Sequence, residues 1–461
     1  MRVDPLFLYT ISMKYNSLIP MKNASMQRIF TTWWPLAASW LLMGAELPAL
    51  SAVIARLPEP AINLAAYGGV VFPLALIIES PIIMLLSAST ALSKDWASFC
   101  LVRRYMMIAG VGLTALHILV SFTPLYYVLV EGMLGVPEEV VEPARLGMMI
   151  MTPWTWSIAY RRFHQGVLIR FGHSNAVGKG TMVRLGADLL VLTFGYLVGT
   201  IPGIVVGTTA VAAGVICEAI YVGLVTRPVL EYELRPAPKI QPPLTWRAFW
   251  DFYIPLMLTS LLMLLANPIG SAALSRMPEA LASLAVWSVV SGLIFIFRSM
   301  GISYNEVVVT LLDEPGSYNN LKRFAVLLSG ITTFLLLIIT ATPLSIFWFS
   351  KVSALSDELT NLAVNGLWLA LPLPALSVIQ SWYQGAILHG RRTRVITESM
   401  GFYLITSVVI LGIGVWWGEV IGLYIGIAAL TMSVFVQTLW LGLRSKPVLR
   451  EIRESITEPM N

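Results

Sequence analysis

The sequence predicts an all-α polytopic membrane protein, with 12 transmembrane helices forming two parallel six-helix repeats around a central cavity. Three observations carry that expectation. The composition is apolar and poor in charge, long apolar runs alternate with connections of unequal basicity, and the two halves of the chain match at a fixed offset.

Of 461 residues, 57% are hydrophobic and 12% charged, whereas a soluble domain carries about 25% charged residues. The 34 Gly and 27 Pro suit transmembrane helices, which tolerate both better than soluble helices do. Cys100 and Cys217 fall in different segments, so they make neither a metal spacing nor a disulfide framework. Residues 1–27 lack a clean apolar core followed by small residues, which argues against a cleavable signal. Met13, Met21 and Met26 are alternative starts for this tail.

A bilayer core of ~30 Å needs ~20 apolar residues per helix. Segments 29–55, 62–92, 104–132, 145–169, 177–199, 203–226, 248–275, 280–311, 323–349, 359–389, 394–417 and 420–443 meet that requirement. They do not alternate with period two, which excludes a β-barrel. With a cytoplasmic N-terminus, 24 Lys and Arg fall on the cytoplasmic side and four (Arg56, Arg145, Arg276, Lys351) on the other. That asymmetry places both termini inside a cytoplasmic (plasma) membrane. Because the basic residues sort by connection, the net charge of +5 calls for no nucleic-acid partner. The partners expected are the lipid bilayer and a small-molecule or anionic substrate, with the chain a monomer.

Set against residues 255–285, residues 35–65 show 13 identities in 31 positions at a constant offset of 220. Pro35 matches Pro255, Pro48 matches Pro268, and Arg56 matches Arg276. The expected organisation is a tail (1–27), a first lobe (28–226), a proline-rich linker (227–247), a second lobe (248–444) and a C-terminal tail (445–461). Six helices per half make the repeats parallel, an arrangement common among secondary transporters.

The run LSAVIARLPEPAINLAAYGG (50–69) and the stretch WYQGAILHGRRTRV (382–395) carry a family resemblance. With the proline-bearing first helix, they resemble the MATE transporters of the multidrug/oligosaccharidyl-lipid/polysaccharide (MOP) flippase superfamily. The first turn is also similar to that of the progressive-ankylosis branch. The resemblance spans most of residues 28–444 and implies an antiporter-type efflux fold. Many MATE exporters carry an Asp nearer the outer end of the first helix; Glu46 lies about two turns deeper, so their coupling site does not simply carry over.

A carboxylate at a helix centre costs ~2.5–3.5 kcal/mol on insertion scales, so such residues face a cavity or a partner. Glu46, Glu79, Asp188 and Glu218 are therefore candidate cation or proton sites in the first half, with H⁺ or Na⁺ as coupling ion and no other cofactor. Pro48 and Pro81 free the carbonyls of Gly44 and Ile77 beside two of these acids. With Pro268 they are candidate hinges. Arg184 and Asp188 lie four apart, which predicts that they pair with each other and that Asp188 reaches a further polar group. In the second half Arg298, Asn267, Asn305 and Glu306 are candidate cavity residues, with Glu306 the expected partner of Arg298. Glu46 and Glu79 align with Ala266 and Ser299, so the two halves differ chemically.

Plainer readings suffice elsewhere. His117 reads as a core histidine bonded to a carbonyl, Gln165 and Gln384 as packing contacts, Glu398 as a cap-region charge, and Trp33-Trp34 and Trp416-Trp417 as interfacial anchors. The stretch 131–145 reads as an amphipathic segment on the outer surface, with a weak cation-gathering rim as the alternative. There is no HExxH, no phosphate-cradling GxxxxGK and no Cys pair, which disfavours an enzyme, a metal centre and a nucleotide-driven pump. The expected function is a cation-coupled exporter of a small organic molecule. The alternatives are a flippase or exporter of an anionic solute or lipid-linked sugar, and a non-transporting scaffold.

Overall fold

The computed structural model describes residues 25–312, 314, 317–390, 392 and 394–457, the last seven by backbone only. Most of the expected N-terminal tail and the end of the C-terminal tail lie outside these. Among the described residues, 11 helices are long and apolar enough to cross a membrane. They are α1 (Met26–Ile54), α2 (Pro60–Leu92), α3 (Trp96–Phe122), α5 (Ser174–Val198), α6 (Gly203–Leu234), α7 (Trp246–Leu274), α8 (Ala280–Leu311), α9 (Ser317–Ala341), α10 (Asp357–His389), α11 (Arg394–Trp417) and α12 (Gly422–Arg450). The protein is thus an all-α, multi-pass membrane protein.

The remaining helix, α4 (Thr152–Arg170), differs from the expected apolar segment 145–169. The chain breaks at Met151, after a separate helix Glu138–Ile150. That preceding helix is amphipathic: it buries Val140, Val141, Ala144 and Met148 and exposes Glu138, Glu139 and Glu142. α4 carries Arg161 and Arg162 inward against α2, α3 and α6, so its charges meet protein rather than lipid.

Local chemistry sets the helix ends. Ser25, Asp95, Thr245 and Ser356 accept backbone N–H groups at the starts of α1, α3, α7 and α10. Gly199 and Gly418 end α5 and α11 in the left-handed conformation (φ 70° and 69°). These two glycines are 219 residues apart, and other features also pair at 219 or 220. Glu59 and Glu279 both take positive φ (52° and 54°) just before α2 and α8. The Asn63 side-chain oxygen accepts the Ile204 N–H at 3.0 Å, as Ser283 Oγ accepts that of Leu423 at 3.0 Å.

Contacts between the halves follow the same pairing. α1 packs against α8 and α9, while α7 packs against α2. Trp33 Nε1 donates to the Met300 carbonyl at 3.0 Å, and Tyr253 Oη donates to the Pro81 carbonyl at 2.5 Å. Trp33 is therefore a buried cross-half contact, and Trp34 beside it is half exposed. Gly68 and Gly69 of α2 admit α8 closely. A Cβ on Gly68 would lie 2.5 Å from that of Ser288, so neither position tolerates a side chain without movement.

Candidate functional site: a buried charge cluster and a separate cavity

The first group of residues forms around an interruption in α1. The helix stops at Gly44 and restarts at Glu46, with Ala45 between. Pro48 lies in the first turn of the second piece, where its missing N–H costs nothing. Glu46 consequently sits at a helix start, where the dipole favours a carboxylate. In α7 the helix runs unbroken across the matching Pro268.

Glu46 meets Arg184, whose Nη2 lies 2.5 Å from Glu46 Oε2. The expected pairing of Arg184 with Asp188 on the same helix does not form. Among the described residues neither Asp188 oxygen receives a hydrogen bond from a donor, although the side chain is 3% exposed. The further polar group it reaches is the Glu46 carboxyl, within side-chain hydrogen-bonding range. The nearer competitor is Glu46, which the broken α1 presents to Arg184. Asp188 instead lies against bare backbone of α6, where a Cβ on Gly214 would fall 1.7 Å from its Oδ1.

Glu218 anchors the other side of Arg184. It is fully buried, accepts from Arg161 Nη1 at 2.6 Å and from Gln165 Nε2 at 2.9 Å, and lies 4.0 Å from Arg184 Nε. Gln165, read from the sequence as a packing residue, is thus a ligand of this acid. Glu79 is 2% exposed and faces Arg162 and Arg161 electrostatically, without a close ion pair among the described residues. The carbonyl of Ile77, expected to be freed by Pro81, accepts the Ser80 hydroxyl at 2.8 Å. Arg161 and Arg162 were counted from the sequence among the 24 basic residues of the cytoplasmic side, yet they sit within this cluster. Their adjacency inside a predicted span was the available signal.

His117 is a core histidine: its ring nitrogens meet Thr155 Oγ1 at 2.8 Å and the Met148 carbonyl at 3.0 Å. Glu398 pairs with Arg444 at 3.3 Å and Arg394 at 3.5 Å near the start of α11. Among the described residues no three His, Cys, Asp or Glu side chains are grouped to hold a metal ion.

A cavity of ≈ 500 Å³ lies beside the cluster, between α7, α8, α10, α11 and α12, with α2 and Leu47 of α1 along one wall. Arg298, Asn305 and Asn267 line it, joined by Gln384, Gln437 and Tyr403, which the sequence did not single out as cavity residues. Arg298 Nε donates to Ser377 Oγ at 3.0 Å, and Asn305 Nδ2 to Gln384 Oε1 at 3.4 Å. Glu306 does not line the cavity; it is exposed. It forms no described ion pair with Arg298: α8 is interrupted at Ser303, and beyond the interruption Asn305 faces the cavity while its neighbour Glu306 lies on the exposed side. Tyr67 lines the cavity and also lies within electrostatic reach of Glu46 and Asp188. It is the wall between the two sites.

No protein-family profile matches the chain, and no curated protein does. Solved structures do match across most of its length. An inward-facing multidrug-resistance MATE family transporter of the MOP superfamily superimposes with TM-score 0.67 at 13% identity, over 90% of this chain and 98% of that one. The lipid II flippase MurJ, in an inward closed conformation, gives TM-score 0.67 at 15% identity over 91% and 90%. A MOP superfamily transporter from Pyrococcus furiosus, described as having a binding pocket of reverse polarity, gives 0.51 at 16% over 92% and 97%. The progressive-ankylosis resemblance of the first turn has no counterpart among these three. The chain has the general fold of the MATE-type transporters of the MOP superfamily.

Proposed function

We propose that this protein is a cation-coupled secondary transporter that exports a small organic molecule across the cytoplasmic membrane by alternating access. In this reading its 12 spans form two six-helix lobes, 28–226 and 248–444, with both termini cytoplasmic. The chain is not an enzyme. The paired contacts at offsets of 219 and 220 support two lobes, and the excess of basic residues in the cytoplasmic-side connections, which persists without the buried Arg161 and Arg162, supports the orientation.

One observation carries the coupling: the first-half cluster holds four carboxyls, Glu46, Glu79, Asp188 and Glu218, against three guanidiniums, Arg161, Arg162 and Arg184. A surplus negative charge in a low-dielectric interior is costly unless compensated. One H⁺ or Na⁺ removes it, and Asp188, which no donor reaches, is the group to receive it. Loading Asp188 leaves Arg184 fully to Glu46; unloading draws the guanidinium toward Asp188. Glu46 sits at the break in α1, so that exchange alters the bend of α1. Because α1 packs across onto α8 and α9, the bend is transmitted to the other half.

Flux measured in proteoliposomes under imposed pH or Na⁺ gradients tests this. Asp188→Asn should retain fold and lose gradient-driven flux. Unchanged gradient dependence in that variant would exclude the coupling role, and absence of any substrate-dependent flux would favour a scaffold. A second reading, export or flipping of an anionic solute, is favoured by Arg298 in the cavity. It is compatible with cation coupling, since the ion and the cargo occupy different places.

A further inference from the structure

We propose that the second-half cavity is a binding site for a small, free organic anion, with one carboxylate or phosphate-ester group on the Arg298 guanidinium. Calling that anion cargo rests on the transporter reading; its binding does not.

The lining contains no Asp, Glu, Lys or His, and among the described residues Arg298 is its one charged side chain. An arginine at this depth is expensive unless it is paired or faces polar surroundings. Here the pairing is incomplete. Only Nε has a described hydrogen bond, to the neutral Ser377 hydroxyl of α10. Tyr403 is the other polar group within electrostatic reach, and it carries no charge to balance the cation. The two Nη groups, the part of the fork that grips a carboxylate or phosphate through two parallel bonds, have no described partner. The side chain is only partly buried because it borders the cavity.

A purely structural role, tying α8 to α10 through Ser377, would be served by a neutral donor without the cost of a charge. The rest of the lining fits a polar organic body rather than an inorganic ion. Asn305, Gln384 and Gln437 supply neutral donors and acceptors, and Trp287 and Phe295 supply flat apolar surface. The volume of ≈ 500 Å³ lies within the range for drug-sized ligands. A cationic guest would meet Arg298 with no acid in the lining to offset it. The acids of the first half are not in the lining either; Tyr67 stands between.

The test is ligand-observed saturation-transfer NMR on the full chain in phosphatidylcholine nanodiscs. The probes share one ring and differ in charge: benzoate, phenyl phosphate, benzyl alcohol and benzylammonium. Benzoate or phenyl phosphate should bind at least roughly tenfold more tightly than benzylammonium, the scale of a charge-assisted hydrogen bond. The stronger of the two names the anionic group. Arg298→Gln should lose that preference, Arg298→Lys should keep part of it, and the ligand-free melting temperature of Arg298→Gln should not fall. Equal binding of benzylammonium, or anion binding unchanged in Arg298→Gln, would overturn the site. If Arg298→Gln does not fold, selectivity among the four probes on the unaltered protein decides. Loss of the signal when phosphatidylglycerol replaces phosphatidylcholine would assign the site to a lipid headgroup and overturn the free-anion form. No gradient is present, so failure here leaves cation-driven flux to its own assay.

Discussion

Arg56 and Arg276, 220 residues apart, make the same contact in opposite directions. Arg56 donates to the carbonyls of Lys351 and Val352 at 2.5 and 2.9 Å, and Arg276 donates to those of Met133 and Leu134 at 2.6 and 2.8 Å. Each also bonds a carbonyl of its own helix, Ala52 or Ala272. Each cation therefore meets the carbonyl-rich end of a helical turn in the other half, where the dipole favours positive charge.

Removing either latch should favour separation of that face. In a background with Cys100 and Cys217 replaced by Ser, spin labels at Glu131→Cys and Lys351→Cys report the distance. Arg56→Gln or Arg276→Gln should each shift the open-to-closed ratio by about fivefold, equivalent to ~1 kcal/mol for a partly exposed charged contact. An unchanged distance distribution in both variants would mean that the latches do not hold the face.

The buried acids should differ in what their removal does to stability. Glu46→Gln removes the nearest carboxylate of Arg184 and leaves Glu218 4.0 Å from its Nε, and breaking a buried pair costs ~3–5 kcal/mol at full burial. With the Glu46 side chain 21% exposed, ~1–3 kcal/mol is the expected loss. Asp188→Asn removes an acid that has no donor, so its melting temperature should equal or exceed that of the unaltered protein. The reverse order in a thermal unfolding series would reassign the pair.

Gly214 is required by the position of Asp188. Gly214→Ala puts a methyl group where Asp188 Oδ1 stands, and overpacking of this kind costs ~1–3 kcal/mol. Shortening the neighbour should relieve it: Gly214→Ala combined with Asp188→Ser should be more stable than the sum of the single changes predicts. Strict additivity would show that the two side chains do not compete for space.

Outside the membrane, Asp95 gives a pH-dependent term. Burial acts to raise its carboxyl, but hydrogen bonds from the Ser98 hydroxyl and N–H and from the Ile240 N–H outweigh it and hold it below the usual carboxylate value. A depressed folded value contributes stability above the unfolded value, near ~3.9, that is lost as pH falls through the folded one. Asp95→Ala should cost ~0.5–2 kcal/mol at neutral pH as a lost cap. The gap to the unaltered protein should close only as pH falls below ~3.9, as followed by limited proteolysis of the 235–245 linker with an acid-active protease. A gap that widens on acidification would contradict the sign.

The sequence by itself determined the apolar spans, the offset that pairs one half with the other, and the presence of costly charges at membrane depth. These follow from composition and period, which are local. Glu46, Glu79, Asp188 and Glu218 were visible because a carboxylate in an apolar run stands out. Their partners were not. Arg184 prefers Glu46 over Asp188, four residues away on its own helix, because packing of broken α1 against α5 decides which carboxylate comes nearest. Arg161 and Arg162 were counted with the cytoplasmic-side charges because hydropathy cannot tell a helix facing lipid from one facing other helices. Only tertiary structure separated the acid cluster from the cavity and set Tyr67 between them. Which faces meet depends on small contacts, such as Gly68 against Ser288 and Gly214 against Asp188, that no periodicity records.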